Sequence, residues 1–338
     1  MAAKSIIKMS KLKCNLKKTN QSIFFSLVDY RNNLFTDNDP NKIIEFYDSF
    51  ENRYQLIQWM KERPKGVSYI HEVEGNKDII VVIPTVDFNG KYAVNCRENI
   101  FKGLHMVFVE SVEGNSYFNI AHNINLGIKK ALKYNPKWIV FSSDDMIKID
   151  KIGRLQECLD KLDNRCVDVV FTIPGRYHST PSILGVPKNI FFQIMKISSI
   201  ISKNANMYYL TLKNLRRFND VTYILRINFK INVVNKFANF LFLSPVKHFV
   251  NILSFGIFSS EFVKQYQGEV YDETYINDME DTDLSIRLSH ASRESTTIDF
   301  KIGEYVGSSL GTGPAQRFIT VAGYSYFSYK VQRGMINL

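Results

Sequence analysis

Cysteine is scarce in this chain: Cys14, Cys96, Cys158 and Cys166 are the only four, and no two form a CxxC pair. That argues against a disulfide framework or a zinc site and fits reduced thiols in a cytosolic compartment. Long apolar runs are missing too. No stretch of roughly 18 uncharged apolar residues occurs, so no membrane-spanning helix is expected. The opening MAAKSIIKMSKLKCNLKK is basic but lacks the continuous apolar stretch of a signal peptide. There is no internal repeat and no low-complexity tract. GTGPAQ (311–316) lacks the third glycine of a dinucleotide fingerprint and does not follow the first strand of a βαβ unit. His105, His122, His178, His248 and His290 show no ligand spacing, and Ser142-Ser143 has no G-x-S-x-G context.

What the chain does have is apolar bulk and positive charge. Its 338 residues are 45% hydrophobic and include 25 Phe and 18 Tyr, enough for one large core or for a core plus a smaller module. The formal charge is +10. Charge of this sign suits nucleic acid, an anionic membrane or phosphorylated small molecules. The basic residues are spread out and no nucleic-acid motif accompanies them, so nucleic acid is not expected as a partner.

Four regions follow from the pattern. Residues 1–75 read as a helical N-terminal accessory extension, with helical spacing from Ile43 to Arg63 ended by Pro64 and Gly66. Residues 76–187 alternate strand and helix. DIIVVIPT (78–85), MVFVES (106–111), WIVFSSDD (138–145) and VDVVFTIP (167–174) are short continuous apolar runs, as strands buried on both faces should be. Helical patterns at 92–103, 118–134 and 150–164 lie between them, which predicts an α/β fold with a mostly parallel sheet flanked by helices. Ligands of such sheets sit beyond the carboxyl ends of the strands, here Thr85–Asp87, Glu110–Asn115 and Ser142–Asp145.

Residues 188–258 are apolar, aromatic and basic with almost no acid. They read either as a packed helical insertion with a solvated basic face or as interfacial helices touching lipid. Residues 259–338 return to a compact pattern, with a helix near Asp281–Ser289, a strand at TTIDFKIGEY and a Gly-rich loop.

Two acidic clusters carry the chemistry. Asp144-Asp145 directly follows the apolar run WIVF, where two carboxylates are costly unless a cation shares the site. Hard oxygen ligands suit Mg²⁺ or Mn²⁺ bridging a diphosphate, while a helix N-cap is the alternative reading of the same pair. The second cluster is Asp272-Glu273 with Glu280, Asp281 and Asp283. Acids at a helix start suit its dipole, but capping does not need so many, and one can serve as a general base. Asp283 and Arg287, four residues apart, read as a structural ion pair.

In order along 78–330, these pieces resemble the family 2 glycosyltransferases of the GT-A fold. DIIVVIPT is similar to the family's opening strand, and FVESVEGN stands at its "vvDdgSxD" segment. FNIAHNINLGIKKAL resembles its "g.a.a.N.Gi..A" helix, through Asn125, Gly127 and Ala131. WIVFSSDDM resembles the D-x-D strand end, DMEDTDLSIRL the "EDvDLslRl" helix, and YVGSSLGTGPAQRF the closing loop. The resemblance implies a GT-A Rossmann-like half at 76–187 that binds a nucleotide-diphosphate sugar, and an acceptor-side half at 259–338. It implies nucleoside contacts from Thr85, Asp87 and Glu110, and ribose and metal contacts from Asp144 and Asp145. Mn²⁺ or Mg²⁺ is the implied cofactor and Asp281 the implied base. Asn125 and Glu280 join the implied substrate-binding set, and Arg317 would neutralise diphosphate charge. The acceptor would be a glycan or a lipid-linked glycan, with peripheral membrane contact through 188–258. Three positions depart from the pattern: Glu110 stands for Asp, the Tyr-Asn after Pro84-Thr85 is absent, and Tyr305 replaces the closing-loop His. A non-catalytic nucleotide-sugar-binding protein on this fold and a sugar-phosphate nucleotidyltransferase are the rival expectations.

Overall fold

The structure, a computed structural model, describes residues 40–111, 120–174, 182–186, 218, 223–227, 254–290, 294–305 and 314–336. Eight strands form one sheet. In chain order they are β1 (Ser68–Val73), β2 (Asn76–Thr85), β3 (Leu104–Ser111), β4 (Trp138–Ser142), β5 (Met146–Lys148), β6 (Val169–Pro174), β9 (Phe255–Ser259) and β10 (Ser295–Glu304). A separate antiparallel pair is made by β7 (Ser182–Val186) and β8 (Tyr223–Ile227). Across the large sheet the order is β1-β3-β2-β4-β9-β6-β10-β5.

The strands form where the sequence is continuously apolar, because both faces of the sheet are covered. On β2, Ile79, Val81 and Ile83 face one core layer, and Ile80 and Val82 face the other. The first layer is closed by α3 (Lys91–Asn95), the π-helical turn Cys96–Ile100 that continues it, and α5 (Ile152–Leu159). The second is closed by α4 (Ile120–Ala131), α6 (Ser260–Gln265) and α7 (Glu280–His290). Gly127 is what lets α4 seat so closely: a Cβ there would stand 2.3 Å from Val82 Cγ1.

The expected mostly parallel sheet is instead mixed. Pairings β2·β3, β2·β4 and β6·β10 are parallel, while β1·β3, β4·β9, β6·β9 and β5·β10 are antiparallel. The reason lies in β9. FGIFS is buried at every position and inserts between β4 and β6 against their direction, so its apolar run carries no mark of orientation. The other two reversed strands, β1 and β5, lie at the sheet's edges. The remaining five strands, β2, β3, β4, β6 and β10, run the same way, so their carboxyl ends share one edge.

The helical pattern from Ile43 to Arg63 is divided into α1 (Pro40–Asp48) and α2 (Arg53–Glu62). Asn52 caps the second, its side chain accepting from the backbone of Tyr54 and Gln55. An edge-on aromatic cluster of Phe46, Phe50 and Trp59 joins the pair, which packs on α8 (Pro314–Gln332). Arg63 then clamps the acceptor-side segment. Its buried guanidinium donates to the carbonyls of Glu273, Thr274 and Tyr275 at 3.2, 2.9 and 2.7 Å. The last strand of the 1–75 region, β1, belongs to the large sheet.

Within 188–258 the described residues are Phe218, the strand β8 and the start of β9, so what is described there is strand as well as helix. Residues 1–39, most of 188–253 and the Gly-rich loop at 306–313 lie outside the described residues. Among the described residues no helix is long and apolar enough to cross a membrane.

Candidate active site

Four acids, Asp144, Asp145, Glu304 and Asp281, come to the shared carboxyl edge from three segments. β2 ends at Thr85, whose hydroxyl donates to Asp144 Oδ2 at 2.7 Å and so ties the end of β2 to the turn after β4. Asp145 follows, 4% exposed. Its carbonyl accepts from the backbone N–H of Tyr305 at 2.9 Å, and Glu304 pairs with Met146 where β5 meets β10. The end of β10 is thereby fixed beside the end of β4.

Asp281 arrives from the other core layer, in the first turn of α7. The chain before it is held in left-handed conformations at Asn277 (φ 50°) and Met279 (φ 75°), uncommon for residues with a side chain. That bend is anchored twice. Asn277 Oδ1 accepts from the N–H of Ile120 at the start of α4, at 2.7 Å. Gly323 of α8 lies against Asp278, whose carbonyl oxygen would be 2.7 Å from a Cβ there. Asp281 Oδ1 accepts from the Thr282 backbone N–H and hydroxyl, which fixes the carboxylate's orientation.

Electrostatics links these acids. Burial lifts the Asp144 carboxyl to about 6; the Thr85 hydroxyl opposes that rise and the Asp145 charge adds to it. Burial likewise raises Glu304, against a hydrogen bond with Ser254, and the charges of both Asp145 and Asp281 push it further. Asp145 and Asp281 therefore act on the same half-buried carboxylate. Burial also raises Tyr271, with the Asp281 and Glu280 charges adding to it. Crowded carboxylates with raised affinities for protons are an all-oxygen donor set of the kind hard divalent cations prefer. Among the described residues no three His, Cys, Asp or Glu side chains group closely enough to hold a metal ion by themselves.

The remaining sequence-derived residues divide. Asp87 is exposed in the turn after β2, its Oδ1 accepting from Asn89 N at 2.8 Å. Glu110 ends β3 on the same edge, and both its oxygens have partners: Oε1 takes the Phe88 N–H at 2.9 Å and Oε2 lies 2.6 Å from His71 Nε2. The expected nucleoside contact is thus also the latch of the β2–α3 loop. Asn125, expected to touch substrate, is fully buried instead. Its amide donates to Tyr271 O at 2.9 Å and accepts from Tyr271 N at 3.1 Å, bracketing α4 to the acceptor-side segment. Glu280 is buried beside Asp281. Arg317 lies in the first turn of α8, and its side chain is outside the described residues.

Glu304 is the site residue that sequence reasoning missed. The sequence offered only its place, at the end of a strand just before Tyr305, which does not mark it off from a solvated residue. The Asp283–Arg287 pair is present at 3.1 Å, and Lys330 of α8 bonds both Asp283 and Asp272. No family model, no curated protein and no solved structure matches this chain.

Proposed function

We propose that the chain is a glycosyltransferase of the GT-A type, moving a sugar from a nucleotide-diphosphate donor to an acceptor hydroxyl with inversion. One arrangement carries the reading: Thr85 ties the end of β2 to Asp144, the Tyr305 N–H ties the end of β10 to Asp145, and the charges of Asp145 and Asp281 both bear on Glu304 there. Mn²⁺ or Mg²⁺ fits this donor set, since such ions take one or two carboxylates and complete their shell with substrate phosphates. Asp144 and Asp145 would hold the ion, and its role when bound is to neutralise the leaving diphosphate.

The chain's own residues do the rest. Thr85 keeps the Asp144 carboxylate turned toward the edge. Asp281, oriented by Thr282, accepts the acceptor hydroxyl's proton as that oxygen attacks the anomeric carbon opposite the diphosphate. The bend at Asn277–Met279 and the Arg63 clamp fix the approach of Asp281, which matters because small misplacements of a base cost large factors in rate. A glycan or lipid-linked glycan is the acceptor class suggested by the apolar basic region 188–258.

The test is release of nucleoside diphosphate from a panel of nucleotide sugars with Mn²⁺, for wild type, Asp145→Ala and Asp281→Asn. Release by wild type from at least one donor, lost in both variants, is the expected outcome. Thermal stabilisation by a donor without release would favour a non-catalytic binding protein. Neither stabilisation nor release with any donor would overturn the reading.

A further inference from the structure

Tyr305 is half exposed, at 50%, although its backbone is hydrogen-bonded to Asp145. What sets this exposed aromatic apart from others on the surface is that a second ring stands beside it, next to the acidic turn. Its ring lies 6.1 Å from that of Tyr92 on α3, tilted by 45°. The helix bearing Tyr92 is held against the same turn, through Cys96 Sγ to Asp144 O at 3.1 Å and Asn95 Nδ2 to Met146 O at 3.4 Å. The Lys91 ammonium stands 4.6 Å from the Tyr92 ring centroid. Two aromatic rings and an ammonium therefore stand together beside the turn that carries Asp144 and Asp145.

We infer that Tyr305 and Tyr92 form a platform for a pyranose ring at the edge of the carboxylate site, a role that rests on the glycosyltransferase reading. A pyranose has one face of C–H bonds and a rim of hydroxyls. Aromatic faces suit the first, and flanking carboxylates and an ammonium suit the second. A nucleobase stacked on either ring alone is the competing occupant, and it would show as an equal loss of the sugar-free diphosphate. The ring could belong to the donor or to the acceptor, and the chemistry is shared.

Isothermal titration distinguishes the two sources. With Mn²⁺ present, wild type, Tyr305→Ala, Tyr305→Phe and Tyr92→Ala are titrated with UDP, GDP and the sugar nucleotides UDP-glucose, UDP-N-acetylglucosamine and GDP-mannose. If the platform holds the donor sugar, Tyr305→Ala and Tyr92→Ala bind the preferred sugar nucleotide roughly tenfold more weakly, while the matching diphosphate binds as before and Tyr305→Phe behaves as wild type. If it holds the acceptor, that loss appears instead with maltoheptaose or chitohexaose titrated into the protein saturated with Mn²⁺ and diphosphate. Equal binding by all variants in both arms overturns the platform, as does an equal loss of the sugar-free diphosphate. Should wild type bind no nucleotide at all, the parent reading fails. The oligosaccharides titrated alone then decide: Tyr305-dependent binding keeps the platform, and its absence overturns it.

Discussion

Thr85 donates its hydroxyl proton to Asp144 across 2.7 Å, joining the ends of two parallel strands that both lie in the fully covered centre of the sheet. The bond holds a carboxylate whose proton affinity burial has raised, to about 6. An ordinary Asp titrates near 3.9, so ionising Asp144 is harder in the folded chain than in the unfolded one. Its contribution to stability is complete below about pH 4 and is lost as pH rises through about 6. Asp144→Asn abolishes that loss. In EDTA, the variant's melting temperature should gain on wild type between about pH 4 and pH 7 and then hold a constant lead. Parallel curves across that range would contradict the assignment.

Arg63 joins the N-terminal helices to the acceptor-side segment through three carbonyls. Replacing it by Met leaves the Thr274 and Tyr275 carbonyls without that donor, at about 1–3 kcal/mol for each that water cannot reach, while the Glu273 carbonyl keeps the Lys65 ammonium. We expect Arg63→Met to lower unfolding stability by about 3 kcal/mol in urea with unchanged slope. Arg63→Lys should recover only a fraction, because one ammonium cannot span the fork that a guanidinium does. An unchanged midpoint for Arg63→Met would rule the clamp out.

Lys330 sits between Asp272 and the fully buried Asp283. Burial pushes the Asp272 carboxyl up, but the Lys330 charge and the Thr274 hydrogen bonds overcome it and hold the group near 2. A depressed carboxyl stabilises the fold above its ordinary value and loses that contribution as pH falls toward about 2. Lys330→Met should cost about 3–5 kcal/mol at neutral pH, as expected when one partner of a buried pair is removed. It should also move the acid-unfolding midpoint, followed by circular dichroism, to higher pH.

At Gly127 two effects compete. Alanine in a helix interior is favoured over glycine by about 1 kcal/mol, but the added Cβ would fall 2.3 Å from Val82 Cγ1. Overlap of that size forces α4 off the sheet, and overpacking costs about 1–3 kcal/mol or more. Gly127→Ala should therefore be destabilising, and Val82→Ala in the same chain should return part of the loss. A stabilised single variant would mean that α4 sits farther from β2.

The sequence's apolar runs located β2, β3, β4 and β6 within a few residues, because strands covered on both faces need no alternation. The same property hid the direction of β9, whose five residues are all buried and look like any parallel strand. β1 was missed because Tyr69 and Ile70, on opposite faces of an edge strand, are both exposed apolar residues, which spoils the period. Asp144 and Asp145 stand out in the sequence as acids following an apolar run, and Asp281 as one of several acids at a helix start. Glu304 does not, since a single acid ending an alternating strand resembles any solvated residue until β10 is laid beside β5. Asn125 was legible as a polar residue within a helix, but its bonds to Tyr271 depend on a segment 146 residues away.

The most direct measurement is anomalous diffraction from crystals soaked with Mn²⁺ and a nucleoside diphosphate. We expect one manganese peak at coordinating distance, roughly 2.2 Å, from an Asp145 carboxylate oxygen, with the diphosphate on its far side and Asp281 facing the same cleft. A manganese peak away from Asp144 and Asp145, or a diphosphate bound where Asp281 cannot face it, would contradict it.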